Sequence, residues 1–136
     1  MTTDTTVHTV GVIGAGRMGQ PIVGHLVRKG FNVVVHECAH KLDMLSGEAD
    51  GVPPLHGDMR VPEWVATFDA AFEQLAEQLD RGEEPWLDPY AAEDPAEFFA
   101  VCSELFFDVP ERLKQEHPDV YGQLARFFKQ DPAASA

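Results

Sequence analysis

The chain has 136 residues, 44% of them hydrophobic, which is enough for one globular domain, or one domain with an appendage. Its formal net charge of −13 at pH 7 argues against nucleic acid and anionic membrane as partners, and no apolar run reaches the length of a membrane span. Residues 1–7 lack the basic start of a secretory signal, and the two cysteines, Cys38 and Cys102, make no disulfide framework, so a cytoplasmic location is expected.

In chain order, residues 1–7 are expected to be disordered, and Thr9 to Ile13 is a short apolar strand candidate leading into a glycine turn. Arg17 to Lys29 reads as a helix with Met18, Ile22, Val23, Leu26 and Val27 on one side, capped by Gly30. Phe31 to Val35 is short and β-branched, and leads directly into His36-Glu37-Cys38-Ala39-His40. Residues 46–62, with glycines and prolines around His56, read as a loop. Trp64, Phe68, Ala71, Phe72, Leu75 and Leu79 step by three and four, which predicts an amphipathic helix ended by Gly82. Residues 83–93 are a polar connection containing Trp86 and Tyr90. A further helix opens at Asp94 with Pro95 in its first turn and runs through Phe98, Phe99, Val101, Cys102, Leu105 and Phe106 to a break at Pro110. Tyr121, Leu124, Phe127 and Phe128 suggest a last helix before Asp131-Pro132. Much of the acidic charge lies in residues 63–119, where solvated helix faces and solubility are its plain reading.

Residues 36–40 form an HExxH string. On a helix it places two histidines one turn apart on one face, where both ring nitrogens reach a zinc ion at about 2.0–2.1 Å. The intervening glutamate can take a proton from a metal-bound water whose pKa zinc lowers to about 7. A third protein ligand is needed, and Glu97 and Glu104, on one face of the downstream helix about two turns apart, are the candidates. Asp94-Pro95-Ala96-Glu97 reads equally as a capping box, with Asp94 at N-cap and Glu97 at N3. His8, His25, His56 and His117 have no ligand spacing, and Cys38 and Cys102 read as small core residues.

His36-Glu37-Cys38-Ala39-His40-Lys41-Leu42-Asp43 resembles the signature of the Mlc titration factor A family of zinc-dependent peptidases. The resemblance continues through Gly47 to Pro53, Asp88 to Ala92, Asp94 to Val101, Ser103 to Phe107 and Gln130 to Pro132, covering about residues 32–132. It implies His36, His40 and Glu97 as zinc ligands and Glu37 as general base. The family resembles in turn the protease domain of anthrax lethal factor, where a tyrosine seven residues before the ligand glutamate assists at the oxyanion; Tyr90 holds that position here. Asp43 is placed to orient a ligand histidine. The implied partners are a peptide or protein substrate and, through contact rather than hydrolysis, a transcriptional repressor of sugar uptake. The family's N-terminal half has no counterpart in this sequence.

A second resemblance competes with the first. Gly14, Gly16 and Gly19 fit GxGxxG between a strand and a helix, where a pyrophosphate can approach the backbone. Residues 8–35 resemble the NAD(P)-binding start of the 3-hydroxyisobutyrate and 6-phosphogluconate dehydrogenase family. In that reading Val33 to Val35 is the second strand and Glu37, near the ribose, favours NAD; a fragment so short cannot by itself transfer hydride. The expected architecture is therefore α+β, mainly α. Residues 1–35 would be a partial βαβ-like, Rossmann-type fragment and residues 36–136 a zincin-like helical part, with Phe31 to Glu37 as the junction of two partial genes.

Overall fold

A helix that is apolar on nearly every side has to be buried on nearly every side, and Pro95–Asp108 is such a segment. The computed structural model describes residues 16–135, with side chains from residue 29 to 134. In chain order it contains α1 (Gly16–Met44), α2 (Val61–Asp80), a 3-10 turn (Pro89–Ala92), α3 (Pro95–Asp108), α4 (Pro110–Glu116), α5 (Pro118–Phe128) and a second 3-10 turn (Pro132–Ser135). α3 lies at the centre and packs against α1, α2, α4, α5 and the first 3-10 turn. Ala96, Phe98, Phe99, Ala100, Val101, Cys102, Ser103 and Phe106 are all buried there.

The core is aromatic. Trp64 of α2 is fully buried, stacks on Phe68 at 4.3 Å and meets Phe99 and Phe127 edge-on at 5.8 and 5.7 Å. Phe98 receives Phe68 and Phe72 edge-on. Each such pair adds about 0.5–1.5 kcal/mol beyond its buried area. α2 thus runs where its spacing predicts, and Gly82 ends it at φ +75°. Gly82 N–H donates to Leu79 O and Glu83 N–H to Gln78 O, the paired bonds of a Schellman cap.

Two expectations fail along α1. Gly30 does not cap a helix, and Val33 to Val35 is not the strand that the dinucleotide reading requires: both lie inside one uninterrupted helix that also crosses residues 35 and 36. The β-branched run disfavours a helix only weakly, and packing against α3 outweighs it. Among the described residues every regular element is helical, so the second strand of the dinucleotide unit is absent. The Thr9 to Ile13 strand and Gly14 lie outside the described residues, and Gly16 and Gly19 stand in the first turns of α1. No helix among the described residues is long and apolar enough to cross a membrane.

Among the residues with described side chains, α1 meets α3 along one face. Asn32 Nδ2 donates to Asp108 at 3.3 Å, His36 meets Glu104, and His40 meets Glu97, so α1 and α3 run antiparallel. Ala39, 1% exposed, lets the two backbones come close. At the end of α1 the buried Asp43 carboxylate accepts the N–H groups of Asp50 (3.2 Å) and Gly51 (2.8 Å). Burial raises its pKa, against the pull of those two backbone bonds. Gly51 O in turn accepts the Trp64 indole N–H at 2.8 Å, and Gly51 lies against the start of α3. Asp43 therefore ties the loop that follows α1 to both α2 and α3.

Gly51 has φ +85°, and a Cβ there would fall 2.7 Å from Pro95 O. Gly51→Ala is expected to destabilise the chain by at least about 2 kcal/mol, read as a lower urea midpoint with an unchanged m-value. An unchanged midpoint would mean that this contact is not fixed in solution.

Candidate metal centre

His36 and His40 leave α1 on one face because they are four residues apart. Glu97 reaches the same point from α3. Asp94 caps that helix by accepting the Glu97 N–H at 2.9 Å, as a capping box requires. The reciprocal half of the box, from Asp94 N–H to the Glu97 carboxylate, is not made. Glu97 Oε1 instead sits 3.1 Å from His36 Nε2 and 3.1 Å from His40 Nε2, while the two Nε2 atoms are 3.2 Å apart.

These three atoms form a nearly equilateral triangle. Ligands at about 2.0–2.1 Å from a tetrahedral ion stand about 3.3 Å from one another, so the triangle has the size of one face of a zinc site. Its chemistry fits as well. When both imidazoles carry their proton on Nδ1, the two Nε2 atoms and the carboxylate bring lone pairs together, which a cation relieves. Two imidazoles and one carboxylate are a zinc donor set that leaves a fourth position open. Among the described residues, His36, His40 and Glu97 are the group of metal-binding side chains whose donor atoms all lie within 4.8 Å of one another.

Glu104 does not join the triangle. Its Oε2 lies 3.2 Å from Nδ1 of His36, on the far side of the ring. Burial raises the Glu104 pKa, and the His36 contact opposes that rise. Tyr90 stands in the first 3-10 turn, where the Asp88 carboxylate accepts its N–H at 2.9 Å. Its ring centre is 6.3 Å from that of His36, and a hydrogen bond to Glu97, followed by the charge of Glu97, raises its phenol pKa. Glu37 is exposed on α1, about 100° round the helix from His36. A cavity of about 550 Å³ opens beside the triangle between His36, Tyr90, Glu104, Asp88, Trp86 and Leu105.

Asp43 and Cys38 differ from expectation, whereas Cys102, His56 and His117 are as expected. Asp43 orients a loop and not a histidine: both carboxylate oxygens take backbone N–H groups. Cys102 is a core residue, and burial pushes its thiol pKa up; Cys38 is exposed instead. His56 is structural, its Nε2 2.7 Å from Phe127 O, and burial lowers the pKa of His117 between α4 and α5.

A model of the family described as glucose-regulated metallo-peptidase M90 matches residues 23–129. The match begins inside the stretch that resembles a dehydrogenase, in agreement with the unbroken α1. The chain is 49% identical over 109 residues to Mlc titration factor A of Serratia proteamaculans, covering 77% of this chain and 41% of the relative. It is 49% identical over 110 residues to the protein of the same name from Pectobacterium atrosepticum, covering 77% and 40%. For that of Yersinia pestis the identity is 46% over 109 residues, covering 77% and 40%. The chain thus spans about two fifths of the length of these curated relatives.

Zinc at a hundredfold excess over its dissociation constant is expected to stabilise the chain by about 2.7 kcal/mol, which raises the thermal midpoint by roughly 10 °C. A chelator should reverse the shift, and Glu97→Gln should remove most of it. An equal midpoint with and without zinc, by differential scanning calorimetry, would count against the site.

Proposed function

The chain belongs to the glucose-regulated metallo-peptidase M90 family, and on that premise we propose that it is a zinc-dependent metallopeptidase hydrolysing peptide bonds. The observation that carries this reading is the triangle of His36 Nε2, His40 Nε2 and Glu97 Oε1 at 3.1–3.2 Å. These three residues hold the metal. A zinc ion there supplies a Lewis acid that polarises a carbonyl and lowers the pKa of water to about 7.

Glu37 acts as general base. It takes a proton from the attacking water and returns it to the departing amine as the C–N bond breaks. Its exposure on α1 leaves it open to solvent, from which that water comes. Tyr90 donates its phenol proton in a hydrogen bond to the carbonyl oxygen as negative charge develops there. Its raised pKa keeps the donor proton in place at neutral pH. The adjoining cavity, with Trp86 and Leu105 on its walls, receives a side chain of the substrate.

A binding role stands beside hydrolysis. The relatives are named for titrating Mlc, and by resemblance this chain would contact a transcriptional repressor. Phe31, Val33, Val34, Met44 and Leu45, each at least half exposed on or just after α1, offer an apolar surface for such contact.

Glu37→Gln is expected to retain one zinc per chain while kcat for a peptide substrate falls by about 10²–10⁴. Tyr90→Phe should also keep zinc and lower kcat by about 10². Repressor binding, measured by titration calorimetry, should survive both changes. Full peptidase activity in Glu37→Gln would rule out the assigned base.

A further inference from the structure

We propose that Glu104 is a positioning residue of the metal centre: it accepts the Nδ1 proton of His36 and thereby turns the Nε2 lone pair toward the metal. The inference rests on the metal reading above. His36 is gripped at both ring nitrogens, with Glu97 Oε1 3.1 Å from Nε2 and Glu104 Oε2 3.2 Å from Nδ1. Both glutamates belong to α3 and are seven residues apart, two helical turns that place them on one face about 10.5 Å apart along the axis. The imidazole lies between two carboxylates carried by one rigid, buried helix.

The consequence is chemical. A neutral histidine can hold its proton on either nitrogen, and only the Nδ1-protonated form offers Nε2 as a ligand. A carboxylate can only accept, so Glu104 beside Nδ1 selects that form and fixes the ring plane. Glu104 is partly buried and meets the Nδ1 side of the ring at 3.2 Å. In the metal-free site Glu97, 3.1 Å from Nε2, draws the proton the other way; Glu104 is the group that favours Nδ1, and a cation at Nε2 ends the competition.

The test compares the full chain with Glu104→Ala and Glu104→Gln. Histidine ¹⁵N spectra of the metal-free proteins at pH 8 report the His36 tautomer, and competition with a chromophoric chelator reports zinc affinity. The wild type is expected to hold a larger Nδ1-protonated fraction than Glu104→Ala, in which Glu97 alone directs the proton to Nε2. Glu104→Ala should bind zinc about 10- to 100-fold more weakly. Glu104→Gln, whose amide oxygen still accepts, should keep the tautomer and lose less affinity than Glu104→Ala. Zinc affinity of Glu104→Ala within threefold of wild type, or an unchanged His36 tautomer, would overturn the proposal. If the wild type itself took up no zinc, the metal reading would fail, while the metal-free spectra would still show whether Glu104 sets the tautomer.

Discussion

Everything at the candidate metal centre depends on how closely α1 approaches α3. The two histidines belong to one helix and the glutamate to the other, so the 3.1 Å contacts exist only while the helices hold one spacing and one register. Ala39, buried between His36 and His40, sets the spacing. The register is fixed beyond the site, through Asp43, Gly51 and the start of α3 at Pro95. Glu97 follows Pro95 by two residues, so a displacement there reaches a donor atom directly. Metal sites tolerate errors of only about 0.5 Å in ligand placement, and this linkage explains why a buried carboxylate is used to secure a loop.

The electrostatics favour a cation at that point. The chain carries −13 overall, which raises the local concentration of positive ions. Glu97 brings a negative charge against two imidazoles whose Nε2 atoms face each other. Glu104, Asp88 and Tyr90 surround the rings and are positioned by separate elements: α3, the segment before it and the first 3-10 turn. Glu104 contacts His36 Nδ1, so that donor group has an outer partner. Such an outer contact fixes the orientation of the ring before any ion arrives.

The sequence was most legible where one physical signal dominated. The three- and four-residue spacing from Trp64 to Leu79 gave α2, and Asp94-Pro95 gave the start of α3. Residues 29–44 were harder, because their local preferences conflict with their packing. Gly30 and Val33-Val34-Val35 cost a helix only fractions of a kcal/mol up to about 1 kcal/mol each, less than docking on α3 returns. The GxGxxG string made a strand seem due where the chain had already become helix. α4 went unseen because Pro110 was read as a break, although a proline fits the first turn of a helix as readily as it ends one. Of the two candidate third ligands, spacing could not choose: Glu97 and Glu104 share a face, and only the antiparallel crossing assigns them to opposite nitrogens of His36. Asp43 was misplaced for a similar reason, since its position after His40 says nothing of the loop that folds back over it.

The central claim is that His36, His40 and Glu97 meet at one zinc ion, and zinc-edge X-ray absorption on the zinc-loaded chain tests it most directly. The account predicts one zinc per chain with a shell of nitrogen and oxygen at about 2.0–2.1 Å, including two imidazoles and no sulfur. A sulfur shell at about 2.3 Å would place the exposed Cys38 on the metal and contradict it. So would zinc that shows no imidazole scattering.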